Sequence, residues 1–184
     1  DIGFLHTGIE KNMEAKTYQK AEVMSDRLDY MNTVGNNLAY CMAVEKLVDL
    51  DVPERAQAIR VILTELQRIA SHLVWIGTSS LDLAAMSVFL YAFREREYIM
   101  DICELCSGQR MMTTYIRPGG LWRDVPVEFE EAVRKFLEVM PANTIARISL
   151  GATLDDQGRT REAVNCFSAA LRVNPQDANA HFNL

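Results

Sequence analysis

The sequence contains few cysteines, and their arrangement argues against a disulfide-stabilised fold. Four cysteines occur in 184 residues and lie within helix-like patterns, which is typical of a reducing compartment. Cys103 and Cys106 form one C-x-x-C motif, whereas a zinc site needs a second such pair or suitably spaced histidines. We interpret both as buried core thiols, and redox activity or cluster ligation stays the alternative.

The sequence also lacks an excess of basic residues and a long uninterrupted apolar run. Acidic residues outnumber basic ones by 25 to 19, giving a net charge of −6, which disfavours binding to nucleic acid. The most apolar stretch, residues 69–93, contains His72 and Asp82, which a membrane-spanning helix would disfavour. No signal peptide is visible. We expect a soluble chain whose membrane attachment comes through partners.

Histidines are scarce as well. Neither His6 nor His72 has a ligand partner at the spacing of a metal site, so both are interpreted as packing or capping residues. Hydrophobic residues make up 49% of the chain, which permits a packed core and argues against disorder. The chain begins at Asp1 without a methionine and stops at Leu184 inside a periodic pattern, so we expect both ends to be truncated.

Hydrophobic periodicity predicts an all-α fold, with an antiparallel helix bundle over residues 1–142. The expected helices cover residues 8–19, about 29–48, roughly thirty residues from near Pro53, about 87–106 and roughly 127–140. In the third helix Arg60, Glu65 and Arg68 lie opposite the apolar stripe, and Gly77 is expected to loosen the far end.

Two polar segments of this region are given local interpretations. Residues 115–120 end in Pro-Gly-Gly and predict a turn, because that tripeptide cannot continue a helix. No convincing strand is expected in this region beyond possible short pieces at either end. Residues 94–97 alternate in charge, which is typical of a solvated helix face.

From residue 143 onward the pattern is that of a tetratricopeptide repeat, a helix–turn–helix unit of about 34 residues. The characteristic small and large residues occur in order, at Leu150-Gly151, Leu154, Gly158, Ala163, Phe167, Ala170 and Pro175. One repeat cannot bury its own hydrophobic face. We therefore predict two domains, a helical bundle over residues 1–142 and a truncated repeat over residues 143–184.

Several ordered motifs carry a family resemblance. They are Gly8-Ile9-Glu10-Lys11, Arg27-Leu28-Asp29-Tyr30, Ala43-Val44-Glu45-Lys46-Leu47, Ile59-Arg60-Val61, Ala70-Ser71-His72-Leu73, Phe93-Arg94-Glu95-Arg96-Glu97 and Arg117-Pro118-Gly119-Gly120. Together they resemble the 49-kilodalton-type subunit of NADH:quinone oxidoreductase (respiratory complex I). That family is related to the large subunits of nickel–iron hydrogenases.

The hexamer at residues 27–32 separates the two branches of this scaffold. In the hydrogenases two cysteines of the corresponding hexamer hold the metal, whereas Asp29 and Asn32 fill those places here. A soft metal needs thiolates, which neither side chain replaces. Tyr30 stands between them, and its hydroxyl can donate a hydrogen bond to a carbonyl oxygen. We therefore expect a quinone in place of hydrogen chemistry, and no metal bound by this chain.

The resemblance implies a subunit that helps to form the quinone headgroup pocket beside the terminal iron–sulfur cluster, coupling electron transfer to proton translocation. Tyr30 is then a catalytic and quinone-binding residue. Asp82 is the second catalytic candidate, because it pairs by resemblance with a histidine of a loop that this sequence lacks. The alternative for Asp82 is a cap of the helix that starts near Ala84.

Two further residues are expected near the terminal cluster. Arg27 would place a fixed positive charge there, and its alternative is an ion pair with Asp26 or Asp29. Met112 stands where many relatives carry a histidine, and a methionine cannot titrate with cluster reduction.

The resemblance also implies the cofactors, partners and location. NADH and the iron–sulfur clusters would be bound by partner subunits, with quinone as the substrate and the membrane arm contacted indirectly. The complex would lie at the cytoplasmic side of the cell membrane, and the isolated chain would be inactive. The alternative function is a tetratricopeptide-type interaction adaptor that carries a degenerate oxidoreductase bundle.

Overall fold

The computed structural model of the chain describes residues 2–142 and positions 161, 164, 165 and 168. In this part the chain is mostly helical, which confirms the predicted all-α class. The elements are α1 (Ile9–Glu14), α2 (Tyr18–Ser25), α3 (Thr33–Val48), α4 (Glu54–Asp82), α5 (Met86–Ser107), β1 (Ile116–Arg117), β2 (Gly120–Leu121) and α6 (Phe129–Ala142). The predicted repeat falls almost wholly outside the described residues.

The described residues form two compact units. The first contains residues 2–72 and 99–129, and the second contains residues 73–98 with the described residues from 130 onward. Both α4 and α5 contribute to each unit. The predicted domain boundary near residue 142 stays a prediction.

In the first unit, α3 and α4 run antiparallel. Thr33 at the start of α3 lies 3.3 Å from Gln67, whereas Glu45 near the end of α3 binds Arg60 near the start of α4. The predicted apolar stripe of α4 supplies much of the core. Its buried members are Ile59, Leu63, Leu66 and Ala70.

In the second unit, the end of α4 faces the start of α5. Gly77 is buried, and a Cβ atom at this position would lie 3.3 Å from Phe93. Phe93 also stacks on Phe89 with ring centroids 4.2 Å apart. The expectation that Gly77 loosens the helix is wrong, because α4 continues to Asp82 and the glycine allows close packing.

The segment predicted only as a turn contains a small β-hairpin. Strands β1 and β2 pair antiparallel, with Ile116 opposite Leu121, and Trp122 N–H donates to the carbonyl oxygen of Tyr115 at 2.8 Å. The sequence predicted a turn here and did not predict these two strands. Two residues per strand are too few to show the alternation that marks a strand in sequence.

Two predicted helix boundaries are also corrected. The helix expected over residues 8–19 is two helices, because Thr17 adopts an extended backbone conformation that separates α1 from α2. The second predicted helix begins at Thr33 rather than near Asp29, since residues 26–32 form turns. These turns create the loop on which the candidate site depends.

Some charged residues expected on solvated faces are buried. Arg60, Glu95 and Arg96 are at most 8% exposed, whereas Glu65 and Arg68 are exposed as predicted. The interpretation of residues 94–97 as a solvated face is thus wrong for its two central members. None of the helices in the described ranges combines the length and apolarity that a membrane crossing requires.

Candidate functional site

The loop between α2 and α3, residues 26–32, presents Tyr30 to the surface. The Tyr30 residue is 63% exposed. Asp29 organises the turn around it, because its carboxylate accepts the Met31 N–H at 2.9 Å and its carbonyl oxygen accepts the Asn32 N–H at 3.0 Å. Asparagine and aspartate favour such turns through bonds of this kind. The Asp29 side chain therefore shapes the turn that presents the phenol, while Asn32 takes part through its backbone N–H.

The start of the loop is anchored by Asp26. This residue is completely buried, and its Oδ2 atom accepts the Thr114 N–H at 2.7 Å and the Thr114 hydroxyl at 3.0 Å. Thr114 has a φ of +41°, a region that non-glycine residues rarely adopt. The two hydrogen bonds help to hold that backbone.

The end of the loop is anchored by two further hydrogen bonds. The Thr33 hydroxyl donates to the carbonyl oxygen of Met111 at 3.0 Å. Gln67 on α4 donates its amide to the carbonyl oxygen of Met31 at 2.9 Å. The backbone around Tyr30 is therefore held from both sides, which is the preorganisation that a positioned donor needs.

Arg27 belongs to this loop, and Met112 belongs to the segment 111–114 that anchors it. Arg27 is exposed and donates to the carbonyl oxygen of Val23, and its charge lowers the pKa of the neighbouring Asp26. Met112 is half-buried and belongs to the segment that anchors the loop through its neighbours in sequence. The first unit thus brings Arg27, Tyr30 and the Met112 segment together.

Asp82 is placed in the second unit, as the exposed last residue of α4. The predicted capping role is wrong, because α5 begins at Met86 and Ala84 has a φ of +61°. A carboxylate at a helix C-terminus is disfavoured by the helix dipole. Helix stability therefore does not account for an aspartate here.

The C-x-x-C cysteines are core residues. Both Cys103 and Cys106 are at most 3% exposed, and burial raises the pKa of the Cys106 thiol to about 11. Metal ligation requires the thiolate form, which burial disfavours. In the part of the chain that the structure describes, no three histidine, cysteine or acidic side chains are grouped so as to hold a metal ion.

Comparison with known proteins adds the decisive observation. Residues 82–151 match the family described as the 49 Kd subunit of respiratory-chain NADH dehydrogenase. A D-type subunit of the NADH-quinone oxidoreductase of Chloroflexus aurantiacus is 67% identical over 142 residues, and one from Roseiflexus castenholzii is 67% identical over 141. Residues 1 to about 142 are therefore related to the 49-kilodalton-type subunit of NADH-quinone oxidoreductases. This confirms the resemblance inferred from the sequence motifs.

The aligned region is only part of such a protein. It covers 77% of this chain and 34% of either relative, so the chain spans about a third of their length. The corresponding protein of Solibacter usitatus gives the same picture, at 59% identity and 35% of its length. Residues 141–184 match the family described as a TPR repeat, which confirms the tetratricopeptide resemblance.

Sequence reasoning missed the polar residues beneath the loop in this oxidoreductase-like region. Glu22 and Asp26 are completely buried, and the Arg117 Nε atom lies 3.2 Å from Glu22 Oε1. Asn37 accepts the Ile116 N–H at 3.0 Å. A sequence signal was present, because the two acids lie four residues apart next to the small residues Ala21 and Ser25.

Proposed function

We propose that residues 1–142 are a portion of the quinone-site subunit of an NADH:quinone oxidoreductase, and that they help to form the quinone headgroup pocket beside the terminal iron–sulfur cluster. The exposed Tyr30 on a loop anchored at both ends carries this proposal, together with the 67% identity to 49-kilodalton-type subunits. Because Tyr30 is exposed in this chain, partner subunits complete the pocket around it.

The chemistry of quinone reduction fits a phenol at this position. Adding electrons places negative charge on the quinone oxygens, and a fixed hydrogen-bond donor stabilises that charge. The Tyr30 hydroxyl is such a donor, whereas the carboxylate of Asp29 is not. Arg27 contributes a positive charge that favours the arrival of electrons. Asp82 acts by orienting a histidine from a loop outside this sequence.

The remaining steps belong to partner subunits. NADH and the iron–sulfur clusters are held by other chains of the complex, and the electrons reach the quinone from the terminal cluster. The complex is attached at the cytoplasmic side of the cell membrane and couples the reaction to proton translocation. The isolated chain therefore oxidises no NADH.

A Tyr30→Phe variant in the assembled complex tests the proposal. Loss of one donor to a charged oxygen is expected to lower quinone turnover roughly tenfold or more, since such a bond contributes about 1.5–3 kcal/mol. NADH oxidation by an artificial acceptor that takes electrons upstream should be unchanged. Tyr18→Phe is a matched control, because Tyr18 is 65% exposed. Unaltered turnover of ubiquinone and menaquinone analogues by Tyr30→Phe would contradict the proposal.

A second candidate function rests on the match of residues 141–184 to a TPR repeat. Under it the chain is an interaction adaptor, and the oxidoreductase-like region only carries the repeat. Ending the chain after Ala142 distinguishes the two. The adaptor function predicts that the shortened chain loses a partner protein that the full chain binds, whereas the quinone-site function predicts that the shortened chain keeps its partners in the complex.

A further inference from the structure

A buried pair of carboxyl groups lies directly before the Tyr30 loop. Glu22 lies on α2 and Asp26 immediately follows the helix, four residues later, so the two are one turn apart. Both are 0% exposed. This chain buries them by itself, so a partner subunit has no access through which to supply a hydrogen bond.

Several polar atoms of this cluster lack partners. Among the residues that the structure describes, neither oxygen of Glu22, nor Asp26 Oδ1, nor Arg117 Nε has a hydrogen bond of ordinary geometry. Arg117 Nε is 3.2 Å from Glu22 Oε1 but only as an ion-pair contact. Buried carboxylates normally accept several hydrogen bonds, and leaving one without them is costly. Protonation removes the charge that makes the burial costly.

The other groups that face Glu22 do not neutralise it. The side chain of Asn37 lowers the pKa of Glu22, but burial raises it by more. The Asn37 oxygen accepts the Ile116 N–H, and the Tyr40 hydroxyl donates to the carbonyl oxygen of Tyr18 at 2.8 Å. Burial raises the pKa of the Cys41 thiol to about 12. The thiol and the phenol are therefore uncharged at neutral pH.

The charges that remain favour one bound proton. Two ionised carboxylates beside the single guanidinium of Arg117 would leave a net charge of −1 in a buried place, whereas one added proton makes the cluster neutral. Burial raises the pKa of Glu22 to about 7 and raises that of Asp26, while Arg117 opposes both shifts. Arg27 also lowers the pKa of Asp26, but its side chain is exposed. Like charges this close do not ionise independently.

We propose that Glu22 and Asp26 form a buried site that holds one shared proton behind the Tyr30 loop and delivers it during quinone reduction. Thr114 connects the site to the surface, because its hydroxyl is hydrogen-bonded to Asp26 at 3.0 Å and the residue is only half-buried. This role rests on the proposed function.

In this step quinone takes up two electrons and two protons and becomes quinol. The electrons come from NADH through the partner clusters. One carboxyl O–H bond breaks and one quinol O–H bond forms, and the second proton comes from solvent. The site then regains its proton from solvent by way of Thr114. Glu22 and Asp26 are completely buried and do not contact the quinone. Their role is to hold the proton before it is transferred.

The first test does not involve quinone. The full chain is labelled with 13C at glutamate side-chain carboxyls, and their chemical shifts are followed against pH by NMR. Glu22→Gln identifies the resonance of Glu22. We expect Glu22 to titrate near pH 7, Asp26→Asn to move that titration to lower pH, and Arg117→Met to move it to higher pH, with recovery in Arg117→Lys. Titration of wild-type Glu22 in the ordinary acidic range of carboxyl groups would overturn the shared-proton site.

The second test uses the assembled complex and separates the proton role from a structural one. The pH profile of quinone turnover should fall above pH 7 in the wild type as the site empties. Glu22→Gln should abolish that dependence, whereas a structural defect would lower turnover by one factor at every pH. Glu10→Gln, at an exposed position of α1, should leave the profile unchanged. An unaltered profile in Glu22→Gln overturns the delivery step, while normal turnover in Tyr30→Phe would contradict the proposed function alone.

Discussion

Arg60 connects three elements through one buried guanidinium. It binds both carboxylate oxygens of Glu45, and it also donates to the carbonyl oxygens of Arg117 and Gly120 at 2.8 and 2.9 Å. The Gly119 N–H completes the arrangement by donating to Glu45 at 2.8 Å. The pair thus holds the hairpin against α3 and α4. Burial alone would raise the pKa of Glu45, but these hydrogen bonds outweigh burial and lower it.

Removal of Arg60 is therefore expected to destabilise the chain strongly. Arg60→Met leaves the buried carboxylate of Glu45 unpaired, and such losses are about 3–5 kcal/mol. Arg134→Met breaks a pair with Glu130 that is exposed on both sides, and it should cost under about 1 kcal/mol. Urea unfolding measures both. The double variant Arg60→Met with Glu45→Met should recover part of the loss, and equal losses for the two arginines would contradict the assignment.

Glu22 gives the stability of the chain an unusual pH dependence. Its pKa rises from 4.5 to about 7 on folding, so between these values the folded state keeps a proton that the unfolded state has released. Stability therefore falls as pH rises through this window, by at most about 3 kcal/mol. Glu22→Gln should remove this fall when urea unfolding is compared at about pH 4.5 and about pH 8. A wild-type stability that rises across the window would contradict the prediction.

Among the elements, the hairpin depends on a glycine that adopts a left-handed backbone. Gly119 has a φ of +88°, and a Cβ atom there would lie 3.0 Å from the exposed tip of Leu50. That tip can move aside, so backbone strain is the main obstacle to substitution. Gly119→Ala should cost about 1–2 kcal/mol in urea unfolding, and Gly108→Ala, with a φ of +79° and open space, should cost a similar amount. Recovery on adding Leu50→Ala would show that steric contact matters instead.

Periodicity predicted the long helices of this fold but not the contacts between them. The apolar stripe of α4 and the extent of α5 are local patterns, and both are confirmed. Arg60 was misplaced because a polar residue inside an apolar helix face is recognised only through a partner, here Glu45 fifteen residues away. The break at Thr17 was missed because α1 and α2 are each shorter than a clear periodic repeat.

For the molecule as a whole, some site residues were predicted from the family resemblance, whereas others are recognised only in the folded structure. Tyr30 and Arg27 were predicted as site residues from the family resemblance, since an exposed tyrosine in a turn has no distinguishing periodicity. Asp82 came from the same source, and its proposed partner lies outside this sequence. Glu22 and Asp26 were missed because burial of an acid is set by tertiary packing, which brings Arg117 and Thr114 from distant parts of the chain.

Several large apolar side chains of the first unit are exposed. Leu5, Leu47 and Val48 are each at least 63% exposed, and Val127 is 92% exposed. Where such side chains adjoin, as Leu47 and Val48 do in sequence, their exposed apolar surface favours contacts with other proteins or self-association. This exposure agrees with the finding that the chain spans about a third of the length of its relatives. The remaining sequence of those relatives is available to cover such residues.

The isolated chain is therefore expected to self-associate. Sedimentation velocity should show species heavier than the 20.8 kDa monomer, increasing with concentration, because burying exposed apolar area is favourable at about 25 cal/mol per Å². Leu47→Lys with Val48→Lys should move the distribution toward monomer, since the adjacent pair contributes exposed apolar surface on α3. Ala43→Lys adds a charge at another exposed position of the same helix and should have a smaller effect. A chain that stays monomeric at every concentration would show that these side chains tolerate solvent.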